Sequence, residues 1–156
     1  MKTIFIILLA SCSVVFARLG ESNAEIFRRY GAVQDRTETG TNTWTGTYMF
    51  KEYIVIVYFR DNKSEAEALR PISSREFSDE ERDAMMKSIG GDGDWILDDS
   101  TYEFLSKTWI NSKNHSVAYV KDGIMKASTL IVASREYCQR MEAEKKTKDK
   151  KKADGF

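Results

Sequence analysis

The chain has 156 residues, 42% hydrophobic and 31% charged, which suits one domain with a real core and excludes both two domains and a disordered chain. Lys plus Arg and Asp plus Glu both number 24, yet residues 145–156 hold six lysines, and without that segment and Lys2 the rest carries a net charge of −5. An acidic body lacks the clustered Lys and Arg that phosphate contacts need, which argues against nucleic acid as its partner.

The first residues read as an export signal. Met1-Lys2-Thr3 is a short positive n-region, residues 4–10 form an apolar h-region, and Val15-Phe16-Ala17 ends on a small residue. Cleavage is expected between Ala17 and Arg18. The expected organisation is a signal peptide over 1–17, one α+β domain over 18–142 and a Lys-rich tail over 143–156. The apolar run ends at Phe16, too short for the roughly 20-residue helix that spans a bilayer, so no transmembrane span is expected. A rival cut exists. Leu9-Ala10-Ser11-Cys12 is similar to a bacterial lipobox, in which Cys12 would be acylated and anchor the chain in the envelope. On either reading Cys138 is the single free thiol of the mature chain, with no internal disulfide, which suits a periplasmic or secreted address.

In chain order, Ser22-Asn23-Ala24-Glu25 is a capping box that starts a helix. Ile26, Phe27 and Tyr30 supply its apolar stripe, and Gly31 stops it in a left-handed cap. Residues 43–50 alternate, with Trp44, Tyr48 and Phe50 on one face and mostly threonine on the other, as in a half-buried antiparallel strand. Residues 53–59 are apolar on both faces and read as a central strand. Lys51-Glu52 would join the two, although neither residue favours positive φ. Asp61-Asn62-Lys63 is a turn. Residues 65–72 read as an edge strand because they contain the only proline, Pro71.

Ser78-Asp79-Glu80-Glu81 repeats the capping box. Met85, Met86 and Ile89 give the stripe of a helix one turn longer than the first, stopped by Gly90. Trp109-Ile110 opens a short strand, residues 111–114 turn, and residues 115–120 form the next strand. Asp122-Gly123 is a hairpin signal before a long strand over 124–133. Ser134 caps a final charged helix, with Glu142 and Lys146 at a favourable spacing. The expected fold is therefore α+β: an antiparallel sheet with helices packed on one face, in two helix-plus-strands units, and a charged C-terminal helix. Only the helix caps and the tryptophans match between the two units.

Several of these stretches resemble small secreted proteins of Verrucomicrobia-type bacteria: residues 21–31, Phe77 through Gly91 with Trp95, residues 118–132, and the Lys-rich ending in Gly155-Phe156. The resemblance covers most of the mature chain and implies an exported fold, with no reaction attached. More distantly, a helix ending in Tyr30-Gly31 followed by an aromatic and an apolar strand is similar to outer-membrane assembly lipoproteins of the SmpA/OmlA kind and to beta-lactamase-inhibitor-like repeats. That likeness covers residues 21–72. Ala32-Val33 stand where those families commonly place a proline.

No arrangement of residues points to catalysis. His115 is the only histidine, and no glycines of a nucleophile elbow flank any serine. Cys138 reads as a small apolar helix residue rather than a nucleophile. One histidine and one mature cysteine do not make a usual zinc site, and the Gly90-Gly91-Asp92-Gly93-Asp94 run lacks the order of a phosphate or calcium loop. Neither metal nor cofactor is expected. Trp44, Tyr48, Tyr58 and Trp109 are candidates for a binding platform, with core packing as the alternative. The lysine tail either contacts anionic lipid or polymer or only solvates the last helix. The expected function is an exported, non-enzymatic interaction module whose partner is a protein or an envelope component. The alternatives are a lipid-anchored protein that supports envelope assembly and a hydrolase using Asp98 or Asp99.

Overall fold

The computed structural model describes residues 19–98, 107–122 and 128–153. The expected processing residues Cys12, Ala17 and Arg18 lie outside them, as does Asp99. Among the described residues no helix is long and apolar enough to cross a membrane.

Helix α1 (Asn23–Tyr30) begins as its capping box requires: the Ser22 hydroxyl accepts from Glu25 N–H, and the Glu25 carboxylate accepts from Ser22 N–H at 2.7 Å. Gly31 ends it at φ 83°, ψ −155°, a positive-φ cap but with extended ψ rather than the left-handed helical one expected. Four strands follow as a meander: β1 (Asp35–Gly40), β2 (Thr43–Phe50), β3 (Tyr53–Arg60) and β4 (Lys63–Pro71). The β3–β4 turn has φ of 49° at Asp61 and 61° at Asn62, the paired positive φ of a two-residue hairpin. Lys51 also takes positive φ, 54°, so the β2–β3 turn forms with a residue that does not favour it.

The second unit repeats this plan. Helix α2 (Asp79–Gly90) has the Ser78–Glu81 capping box and leads to β5 (Trp95–Leu97), β6 (Lys107–Asn111), β7 (Val117–Asp122) and β8 (Ser128–Ala133). Helix α3 (Arg135–Ala153) closes the chain, with the Ser134 hydroxyl accepting from Tyr137 N–H at 3.1 Å. All pairings are antiparallel, and the strands of the described residues lie in the order β1-β2-β3-β4-β8-β7-β6-β5. Each unit is thus a helix followed by a four-stranded meander, and the two meet where β4 pairs with β8.

Several expectations are corrected. Residues 65–72 are not an edge: β4 sits at the seam, bonded to β3 and β8. Pro71 is tolerated because the β8 pairing stops at Leu69 opposite Leu130, so no ladder partner needs its missing N–H. The cap of α2 is Gly91, at φ 83°, rather than Gly90. Gly90 is the last residue of the helix, and the ring of Trp95 lies against it; a Cβ there would fall 2.3 Å from that ring. His115 lies in the turn before β7, at φ 58°, instead of opening the strand. Asp122 belongs to β7 and pairs with Ser128 of β8, and the expected turn residue Gly123 and residues 124–127 of the expected strand lie outside the described residues. The two outermost strands, β1 and β5, carried no legible signal: β1 is exposed along its length and β5 has three residues.

Strand alternation sorts the two faces. On the inner face Tyr53, Val55, Val57 and Phe59 of β3 and Leu130 and Val132 of β8 are buried beneath α1 and α2, with Ile26, Met86 and Ile89 facing them. Trp44 and Phe59 stack there with ring centroids 3.9 Å apart. The two unit helices therefore share one face, and α3 meets the other, where Tyr137 lies against Tyr58.

Candidate functional site

The outer face, opposite α1 and α2, can be read directly from the register. Thr47, Ile56, Ala68, Ile131, Tyr119 and Thr108 pair in succession across β2, β3, β4, β8, β7 and β6. They form one row with an apolar centre and threonine ends. Beside it Met49 pairs with Ile54, and Ile54 with Arg70. Met49 is 48% exposed and Ile72, just past β4, is 49% exposed. Helix α3 lies over this face: Arg140 binds Glu65 and Tyr137 lies against Tyr58 near the β3–β4 turn, and a cleft separates the helix from Ile110 and Val117 of β6 and β7.

A bulge places those acids. Tyr58 pairs with Ala66 and Phe59 with Ser64, so Glu65 is an extra residue. Glu65 and Glu67 would share a face in a regular strand; here Glu65 meets Arg60 and Arg140 on the outer side, while Glu67 points into the core. Glu67 is wholly buried and pairs in register with Val57 and Val132. Its oxygens accept from Arg29 Nη1 at 3.0 Å each and from Tyr30 Oη at 2.6 Å. Arg29 also binds Glu21. Burial pushes the Glu67 carboxyl above its usual value, opposed by Arg29 and by the Tyr30 hydrogen bond. Burial, then the Glu67 charge, pushes the Tyr30 phenol well up, so it stays a donor. This cluster ties α1 to the seam strand. It is sealed from solvent, which suits a structural clamp.

Clefts open at the surface of the described residues. One, about 430 Å³, is bordered by Arg36, Glu38, Asn42, Trp44, Asp61 and Asn62. Its Trp44 ring is already covered, with Phe59 stacked on it and the Arg36 guanidinium 4.2 Å from its centroid. Another, about 390 Å³, lies between α3 and the outer face and is lined by His115 and Val117 on the sheet side and by Arg135, Cys138 and Glu142 of α3. Burial, and next the Glu136 charge, raises the Cys138 thiol to about 11, so the thiolate a nucleophile needs is scarce.

The sequence-predicted platform is dispersed. Trp44, Tyr48 and Trp109 are 4%, 1% and 7% exposed on the inner face, and Tyr58 is half-buried on the outer one. Large rings at core-facing positions of β2 and β6 fill the space under short helices, so these four do not make a shared surface. No group of His, Cys, Asp and Glu able to hold a metal occurs among the described residues. The outer row was invisible in sequence because it is composed of single residues from six strands.

No family model matches this chain, and no curated protein matches it. Among solved structures it is similar to a cysteine-rich secretory protein from Staphylococcus aureus subsp. aureus Mu50, at 9% identity and a TM-score of 0.43, over 76% of this chain. The chain spans 44% of that protein's length. A likeness of that size is too loose to define a shared fold.

Proposed function

We propose that this chain is an exported interaction module that binds a protein partner face-on, through the outer sheet surface around Met49, Ile56 and Ile72. The supporting observation is the apolar end of the outer face away from Tyr137, where Met49 and Ile72 are about half exposed beside Ile54 and Ile56. Contiguous apolar surface of this kind on a monomer marks contact sites. Docking by strand addition at the β1 edge is disfavoured, since that strand displays Asp35, Arg36 and Glu38. A chain anchored through acylated Cys12 would present the same face, and the intact mass of the mature protein separates the two readings.

The test is crosslinking in the native host with identification of captured proteins, comparing wild type with Met49→Glu/Ile72→Glu. Both side chains are exposed, so the variant is expected to stay folded. The reading requires a protein captured by wild type and lost in the variant. Equal capture by both moves the site elsewhere. Capture of nothing, together with hydrolysis of an envelope polymer by wild type, replaces the module with an enzyme.

A further inference from the structure

Helix α3 extends past the body that anchors it. Tyr137 and Arg140 hold its first turns to the sheet, whereas every residue from 143 to 152 is exposed. At about 1.5 Å rise per residue that exposed stretch is roughly 15 Å long. This exceeds the ~8 Å screening length at physiological salt, so its far end is outside the reach of the acidic body.

The stretch carries Lys145, Lys146, Lys148, Lys150, Lys151 and Lys152 against Glu144 and Asp149. Lys146 is paired with Glu142 at 3.0 Å. Lys146 with Lys150, and Lys148 with Lys152, stand four residues apart, where like charges on a helix repel. The exposed stretch relies on the anchored first turns of α3 for its support, and this repulsion weakens it. An anionic partner would relieve the repulsion.

The distribution of charge selects among anions. With 3.6 residues per turn the six lysines point all around the helix axis, and the stretch offers only Ala143, Thr147 and Ala153 as small or apolar positions. A bilayer surface meets one side of a helix and favours an apolar stripe, which is missing. A flexible chain can follow the lysines around the rod. We propose that residues 143–153 of α3 are a docking rod for a flexible linear polyanion of the polyphosphate type. This site is separate from the outer sheet face and stands or falls apart from it.

The probe is end-labelled long-chain inorganic polyphosphate, titrated with the purified chain by fluorescence anisotropy between about 50 and 300 mM salt. With all six lysines engaged, log K should fall with log salt at a slope of about −4, at roughly −0.7 per charge for a single strand. Lys150→Gln/Lys151→Gln/Lys152→Gln should about halve that slope while leaving the melting temperature unchanged. Met49→Glu/Ile72→Glu should bind the probe as wild type does. Lack of saturable binding at the lowest salt overturns the proposal, as does equal binding by the triple-Gln variant. Tighter binding to vesicles of phosphatidylserine and phosphatidylcholine at matched charge also overturns it and makes the ligand a membrane.

Discussion

Arg29 Nη1 donates to both carboxylate oxygens of Glu67, at 3.0 Å each, and so joins the short helix α1 to β4, one of the two strands that meet at the seam of the sheet. Glu67 is fully buried, and Arg29 has a second acid, Glu21, on its other side. The two partners are therefore unequal. Loss of Glu67 leaves Arg29 paired with Glu21. Loss of Arg29 leaves a buried carboxylate with Tyr30 alone.

Arg29→Met should accordingly cost more stability than Glu67→Gln. Removing one member of a buried pair costs about 3–5 kcal/mol, and Arg29→Met should fall in that range with Glu67→Gln clearly below it. Urea unfolding at pH 7.5 measures both. The reverse order would mean that Glu21 does not hold the arginine.

The pH dependence of Arg29→Met follows from the same carboxylate. Burial raises the folded value of Glu67 above the ordinary 4.5, and without Arg29 the largest opposing influence is gone. A raised folded pKa gives stability that is full below the unfolded value and lost as pH rises through the folded one. The deficit of Arg29→Met relative to wild type should therefore be smaller near pH 4.5 than at pH 7.5. Unfolding curves at the two pH values check this; a deficit that grows in acid would contradict it.

Gly90→Ala sets helix propensity against packing. In an exposed helix the change would stabilise by about 1 kcal/mol. Here the new Cβ would lie 2.3 Å from the Trp95 ring and 3.3 Å from Val132, so overpacking of about 1–3 kcal/mol should win. A lowered melting temperature with a shifted tryptophan emission is the expected result.

Cys138, with its thiol at about 11, should react sluggishly. Against the ordinary thiol value of 9.0, alkylation by iodoacetamide at pH 7.5 should be slowed about a hundredfold, and urea should restore the rate. Equal rates in native and unfolded chains would show that the cleft beneath α3 exposes the sulfur.

Hydrogen exchange should rank the strands by position in the sheet. Tyr53–Arg60, flanked by β2 and β4 and buried on its inner face, should exchange slowest, and the outermost β1 fastest among the strands of the first unit. Amide mass spectrometry reads the order directly.

What the sequence determined by itself was local. The Ser22 and Ser78 capping boxes are closed within three residues, so both helix starts were legible, and the alternation of residues 43–50 next to the apolar run 53–59 was enough to pair β2 with β3. The α+β architecture with two helix-plus-strands units followed from those signals. The tertiary structure decided the rest. The β4–β8 pairing joins segments far apart in the chain, and neither segment encodes its neighbour, so a seam strand passed for an edge. Glu65 and Glu67 look alike in sequence, but one bulge sends the first to α3 and the second into the core, where only Arg29 and Tyr30 make it tenable. Aromatic residues could be assigned to platform or core only once the short helices above them were in place, because burial is a property of the assembled layers and not of any one strand.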